Sequence, residues 1–108
     1  DLVQQTLWKM EGGEIAIPKI PSMRVVDLAK VIAPRIGIEI VGIRPGEKIH
    51  ECLITADEAR MTSDEGSCYI IHTRCLHPDS GPSMSPGFTY TSDGNSEWLT
   101  DEQMETMI

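Results

Sequence analysis

Aromatic residues are scarce in this sequence: two Trp, two Tyr and one Phe in 108 positions. Aliphatic side chains must therefore carry most of any core, and a hydrophobic fraction of 40% makes that core real but modest. Long hydrophobic runs are lacking too, since the apolar stretches are a few residues each, so no segment reads as a bilayer-spanning helix. Positive charge is in short supply. Nine Lys and Arg face seventeen Asp and Glu, giving a net charge of -8. That balance argues against general binding to nucleic acid or an anionic membrane, while leaving room for one local basic pocket. Only three cysteines occur, Cys52, Cys68 and Cys75. They cannot all pair, and their spacing is not that of a disulfide framework, so reduced thiols in a cytoplasmic protein are expected. The chain opens on Asp1 with no basic start and apolar run of a signal peptide, which leads to the expectation of a trimmed or partial sequence.

What is present reads as one domain over residues 1–108. Val3, Leu7 and Met10 share a helical face, predicting a helix over 2–11 that Gly12-Gly13 stops. A short strand follows over 14–17, ended by Pro18 and Pro21. Ser22 is a natural N-cap for a helix whose Val25, Leu28, Ala29 and Ile32 keep the spacing of a buried stripe, and Pro34 ends it. Alternating apolar residues predict a second strand over 36–43. Helical stretches are expected at 47–53 and at 55–60, the latter because Thr55 and Glu58 have capping-box spacing. Strands are expected at 68–72 and 88–92, with an exposed Ser-, Pro- and Gly-rich loop over 77–87 between them. Trp98 and Leu99 should pin a last helix that opens at Thr100, with Gln103 in the reciprocal capping position and Met104, Met107 and Ile108 on one face. Strands and helices in this order make the class α/β, or α+β for the isolated chain.

The segment richest in chemistry is Gly42-Ile43-Arg44-Pro45-Gly46-Glu47-Lys48-Ile49, continued by His50-Glu51. Arginine's planar fork can grip phosphate oxygens in two places, and a carboxylate three residues on can accept hydrogen bonds from sugar hydroxyls. A rigid Pro-Gly turn displaying Arg44 and Glu47 at a strand end is thus a binding constellation without a nucleophile. The plainer alternative is a surface turn whose charges pair with each other. Lys48 would add positive potential. A competing cluster, Cys68, His72, Cys75 and His77, offers four zinc-type ligands within ten residues. Its C-x3-H-x2-C-x-H spacing matches none of the usual structural zinc patterns, and no oxyanion device accompanies a Cys–His pair, so neither metal nor catalysis is assigned there. Asp57, Glu58, Asp64 and Glu65 read as a solvated acidic face.

With these residues in view, the chain resembles the C-terminal portion of inverting UDP-N-acetylglucosamine 4,6-dehydratases, in the polysaccharide-biosynthesis branch of the extended short-chain dehydrogenase/reductases. The matching segments are Gly12-Gly13-Glu14-Ile15, Ile17-Pro18-Lys19-Ile20-Pro21-Ser22-Met23, Val26-Asp27-Leu28-Ala29 and 42–51, with Tyr90 to Ser92, Asn95 and Trp98-Leu99 matching the tail. Residues 67–87 carry no family motif. The resemblance implies that Arg44 holds the pyrophosphate of a UDP-sugar and Glu47 its ribose, with Lys19 a further substrate-binding candidate. It also implies an upstream Rossmann domain that binds NADP. Neither the glycine-rich turn of such a domain nor a Tyr-x-x-x-Lys pair occurs here, because positions 73 and 94 are Thr and Gly. The chain is therefore expected to bind no cofactor and to be inactive alone. Exposure of a surface meant for that domain would favour a homo-oligomer. The alternatives are a free-standing binding or oligomerisation module, a portion of a UDP-sugar epimerase, and a small zinc domain built on residues 68–77.

Overall fold

Alternation along Ile15-Ala16-Ile17 and Cys68-Tyr69-Ile70-Ile71 gives each segment two distinct faces, which is what an antiparallel pair needs. In a computed structural model that describes residues 1–73 and 83–108, these segments form such a pair. The described elements are α1 (Leu2–Lys9), β1 (Ile15–Pro18), α2 (Val25–Ile32), β2 (Cys52–Ile54), a 3-10 turn (Ala59–Met61), β3 (Thr62–Asp64), β4 (Cys68–Ile71), β5 (Tyr90–Thr91) and α3 (Asp101–Met107). Helices beside small antiparallel sheets make this an α+β fold. The chain divides into two compact units, Asp1–Lys19 with Cys52–Thr91, and Ile20–Glu51 with Ser92–Ile108.

The first unit holds a three-stranded sheet in the order β1-β4-β3, with Ile17 opposite Tyr69 and Thr62 opposite Ile71. A two-stranded β2–β5 ladder accompanies it, its register shifted between Cys52 and Ile54. Ile17, Ile54, Ile71 and Tyr90 form the buried cluster, with Met61, Tyr69 and Phe88 packed against it. Tyr69 meets both Phe88 and Tyr90 at ring-centroid distances of 5.4 and 5.2 Å, so three of the five aromatics lie together. Thr62 is fully buried and its hydroxyl donates to the Glu58 carbonyl at 2.8 Å. The even-numbered residues of β4 face the other way, toward α1. Gly13, at φ +84, closes the turn between α1 and β1, and a Cβ there would run into Cγ2 of Thr73.

Lys19 locks the end of β1 to the β3–β4 hairpin. Its backbone N–H donates to the Ser67 carbonyl at 3.2 Å, and its ammonium donates to Asp64 Oδ1 at 2.6 Å while lying 4.4 Å from the Tyr69 ring centre. Asp64 Oδ1 also accepts from the Gly66 N–H. The Lys19 ammonium, followed by that N–H, holds the Asp64 carboxyl below its ordinary range, and Asp64 raises Lys19 in turn. A depressed acid stabilises above its unfolded pKa and loses that contribution as pH falls through the folded value. A raised amine keeps its contribution until pH climbs through the lysine range. The pair therefore acts from the carboxylate range up to the lysine range. Partial exposure, 29% and 42% of the two side chains, keeps it within about 1 kcal/mol. Asp64→Asn is expected to flatten the acid side of a Tm-against-pH curve and to leave little salt dependence there. An unchanged acid limb would remove the role assigned to this pair.

The second unit has little enclosed interior. Met104 on α3 is its one buried residue among those described, and α3 packs on α2. The expected capping box is present: Thr100 Oγ1 accepts from Gln103 N–H, and Gln103 Oε1 accepts from Thr100 N–H. Met107 and Ile108 are exposed, so the terminal apolar face narrows to Met104.

Several expectations are corrected. Residues 36–43 form no strand; they lie unpaired, with Ile36, Ile40 and Val41 each more than 70% exposed, because no described strand lies alongside to complete the ladder. Residues 47–53 are not helical, since Cys52–Ile54 pairs with β5 instead. The 55–60 stretch is a turn leading into the 3-10 segment. There Glu58 Oε2 accepts from both the N–H and the hydroxyl of Thr55, which holds the Glu58 carboxyl low. Ser22 does not cap α2. The N-cap is Arg24, without a side-chain bond, and the Ser22 hydroxyl donates to the Ser92 carbonyl. In α2 only Leu28 and Ala29 of the predicted stripe are half-buried, while Val25 and Ile32 face solvent. Helix α1 ends at Lys9, and Val3, Leu7 and Trp8 are exposed.

Candidate functional site

Pro45 sets φ near -65° and Gly46 sits at φ +85, so residues 44–47 close as a turn that demands glycine at its third position. The Glu47 N–H donates to the Arg44 carbonyl at 3.1 Å, sealing it. Glu47 then folds back over the turn: Oε2 accepts from the Arg44 N–H at 2.9 Å, and Oε1 lies 3.8 Å from Arg44 Nε. The carboxylate thus sets the turn and faces the guanidinium at once. Arg44 keeps 83% of its side chain in solvent and Glu47 half, so the guanidinium remains open to an incoming anion.

The same segment continues with charge. Lys48 Nζ stands 4.0 Å from Glu51 Oε2, and His50 Nε2 4.0 Å from Asp93 Oδ2, both in exposed positions. Arg44, Lys48 and His50 give this stretch local positive character within a chain of net charge -8. From Ile36 to His50 the described backbone is tied by hydrogen bonds only to itself and to Ala33, through the Ile36 N–H. Its first tie to a distant segment is at Glu51, where the N–H donates to Ser92 Oγ at 3.0 Å and the carbonyl accepts from Ser92 N–H at 2.8 Å. Ser92 and Asn95 were legible only as residues matching the family's tail. No local pattern could announce that Ser92 anchors Glu51 or that Asn95 reaches Ile20 and Ser22.

Lys19, the third candidate, belongs to the first unit, and its ammonium is already engaged by Asp64 and Tyr69. Cys68 and His72 do share a face: both line a cavity of about 460 Å³ between α1 and β4, with Leu2, Thr6, Glu14 and Ile70. Cys68 is buried, and His72 Nε2 lies 3.0 Å from Ser63 Oγ. Glu14 accepts from the Gly12 and Glu11 N–H groups, and the Gly12 contact is the main cause of its lowered pKa. Cys75 and His77 lie outside the described residues, as does most of the 77–87 loop. Among the described residues, no group of three or more His, Cys, Asp or Glu side chains is placed to hold a metal ion.

The link from β1 to α2, residues 19–24, contains no glycine, and α2 opens on Arg24 without a side-chain cap. Among the described residues, no helix is long and apolar enough to cross a membrane.

Comparison with known proteins agrees with the motifs. The chain is 37% identical, over 93% of its length, to the inverting UDP-N-acetylglucosamine 4,6-dehydratase of Campylobacter jejuni serotype O:2, and 36% identical to the same enzyme of serotype O:23/36. It spans about a third (34%) of the length of these curated relatives. Among solved structures, Pen from Bacillus thuringiensis superposes with a TM-score of 0.74 at 28% identity, over 96% of this chain and 32% of that one. The expected likeness to the dehydratases is thus found. Residues 1–73 match the family described as polysaccharide biosynthesis protein, and the chain belongs to that family.

Proposed function

We propose that this chain supplies the nucleotide-diphosphate grip of a UDP-sugar 4,6-dehydratase, with Arg44 on the pyrophosphate and Glu47 on the ribose hydroxyls. The observation that carries the reading is the Arg44–Glu47 turn: a sealed Pro-Gly corner whose guanidinium is exposed and whose carboxylate faces it while bonding the Arg44 N–H. Charge-assisted bonds from arginine to phosphate are among the strongest available to a small site. UDP-N-acetylglucosamine, for which the Campylobacter relatives are named, contains such a diphosphate. Lys19 is the weaker contributor, since a ligand would have to draw its ammonium from Asp64. In a protein of the relatives' length, the remaining two thirds would bring the cofactor domain, NADP and the catalytic groups. Val3, Leu7, Trp8 and the 36–43 run would then face that domain or a second copy, which light scattering on the isolated chain can check.

An amide-resolved NMR titration with UDP tests the site. Saturable shifts centred on residues 42–51 are expected, with Kd on the order of millimolar for part of a site. Uridine, which lacks phosphate, should produce little change. Arg44→Ala is expected to weaken binding roughly ten-fold or more, from the loss of a charged hydrogen-bonding group. Equal binding by UDP and uridine, or by wild type and Arg44→Ala, would overturn the assignment.

A further inference from the structure

We infer that Ser92 is the positioning residue of the Arg44–Glu51 segment, acting through Glu51 and held in turn by Ser22 and Asn95. This rests on the reading of Arg44 and Glu47 as the ligand grip, and it deepens that reading by naming what holds the grip in place.

Ser92 engages all three of its backbone and side-chain polar groups. Its N–H donates to the Glu51 carbonyl at 2.8 Å, and its Oγ accepts from the Glu51 N–H at 3.0 Å. Its carbonyl accepts from the Ser22 hydroxyl at 2.6 Å. Ser22 is fixed from behind. Asn95 Nδ2 donates to Ser22 Oγ at 3.1 Å and to the Ile20 carbonyl at 2.6 Å. The Ser22 N–H donates to the Glu97 carbonyl, and its own carbonyl accepts from Leu99 N–H, each at 2.8 Å. Trp98 Nε1 closes the node on the Asn95 carbonyl at 2.9 Å. All of these residues belong to the second unit.

The geometry matters because the segment has so little else. Its 36–43 run is unpaired, and its turn bonds to itself. A loop whose backbone is bonded downstream at one residue takes much of its order from that point, and loss of the restraint raises the entropy that a ligand must then suppress. Two hydrogen bonds between Ser92 and Glu51, one on each of the peptide groups that flank the Glu51 Cα, fix the direction in which the chain passes Glu51. Asp93, next in sequence, brings a carboxylate to 4.0 Å from His50, adding a weaker second contact on the same side.

The test uses the 108-residue chain with Ser92→Ala, Ser92→Thr and Ser22→Ala. Ser92→Ala removes the acceptor for the Glu51 N–H and keeps both backbone bonds. It is expected to lower the heteronuclear 15N NOE of residues 42–50, speed exchange of the Glu51 amide, and raise the Kd for UDP by about five-fold. Ser92→Thr, which retains Oγ, should restore all three. Ser22→Ala leaves both bonds to Glu51 but frees the Ser92 carbonyl, so a smaller loosening of 42–50 is expected, and it serves as the reading should Ser92→Ala fail to fold. Backbone order at 42–50 that matches wild type in both alanine variants overturns the inference. If wild type does not bind UDP, the ligand assignment fails by itself, and the NOE and exchange data still decide the role of Ser92.

Discussion

Truncation of Ile54 to alanine is expected to cost the first unit about 2–5 kcal/mol, enough to unfold it at ordinary temperature. Ile54 is fully buried and belongs to a cluster of four, with Ile17, Ile71 and Tyr90. Removal of its terminal carbons opens a void in a core too small to collapse around it. The residue also lies on β2, whose only ladder partner among the described residues is the two-residue β5. A repacking shift would therefore disturb the Tyr90 side chain and the register of the ladder together. Ile54→Val, which removes one methylene, should cost about 0.5–1.5 kcal/mol. Urea denaturation followed by Tyr and Trp fluorescence measures both. A loss below 1 kcal/mol for Ile54→Ala would mean that the cluster does not act as the core.

The second large effect is expected from Met104→Ala. Met104 is 1% exposed and is the buried residue of the second unit among those described, on a helix of seven residues. The general cost of truncating a buried Met is about 2–5 kcal/mol. Here it falls on a unit otherwise held by the Thr100–Gln103 capping box and the Ser22–Ser92–Asn95 node. Amide exchange should accelerate across Ile20–Glu51 and Ser92–Ile108, while β1, β4 and β3 keep their protection. Met104→Leu, close in volume, should be tolerated within about 1.5 kcal/mol. Uniform acceleration across both units would show that they do not open separately.

The parts of this protein that the sequence made legible are those governed by neighbours. The Thr100–Gln103 box, the Pro45-Gly46 turn and the β1 and β4 alternation depend on residues within four positions of each other. The approach of Glu47 to Arg44 is legible for the same reason, since turn chemistry is local. Errors arose wherever a distant partner decided the outcome. Ile36 to Ile43 alternates as a strand should, yet alternation describes a strand's faces and cannot supply its hydrogen-bonding neighbour. Ser22 obeys every local rule for an N-cap, but a carbonyl seventy positions away claims its hydroxyl. Thr62-Ser63-Asp64 carries no strand signature, and only its pairing with Ile71, Ile70 and Tyr69 makes it β3. A helix was expected over 47–53, and the pairing of Cys52 and Ile54 with β5 prevailed.

The two units are interleaved along the chain, with switches after Lys19, Glu51 and Thr91. This bears on the order in which the protein can mature on a ribosome. Translation delivers the Arg44–Glu47 turn first, and Ser92, Asn95 and Met104 emerge after it. A nascent chain interrupted before residue 92 would carry the whole arginine turn with neither its anchor nor α3. No single cut separates the units, because each is made of an early and a late stretch. Ordering of the turn thus waits on Ser92–Ile108 reaching back to a segment already synthesised.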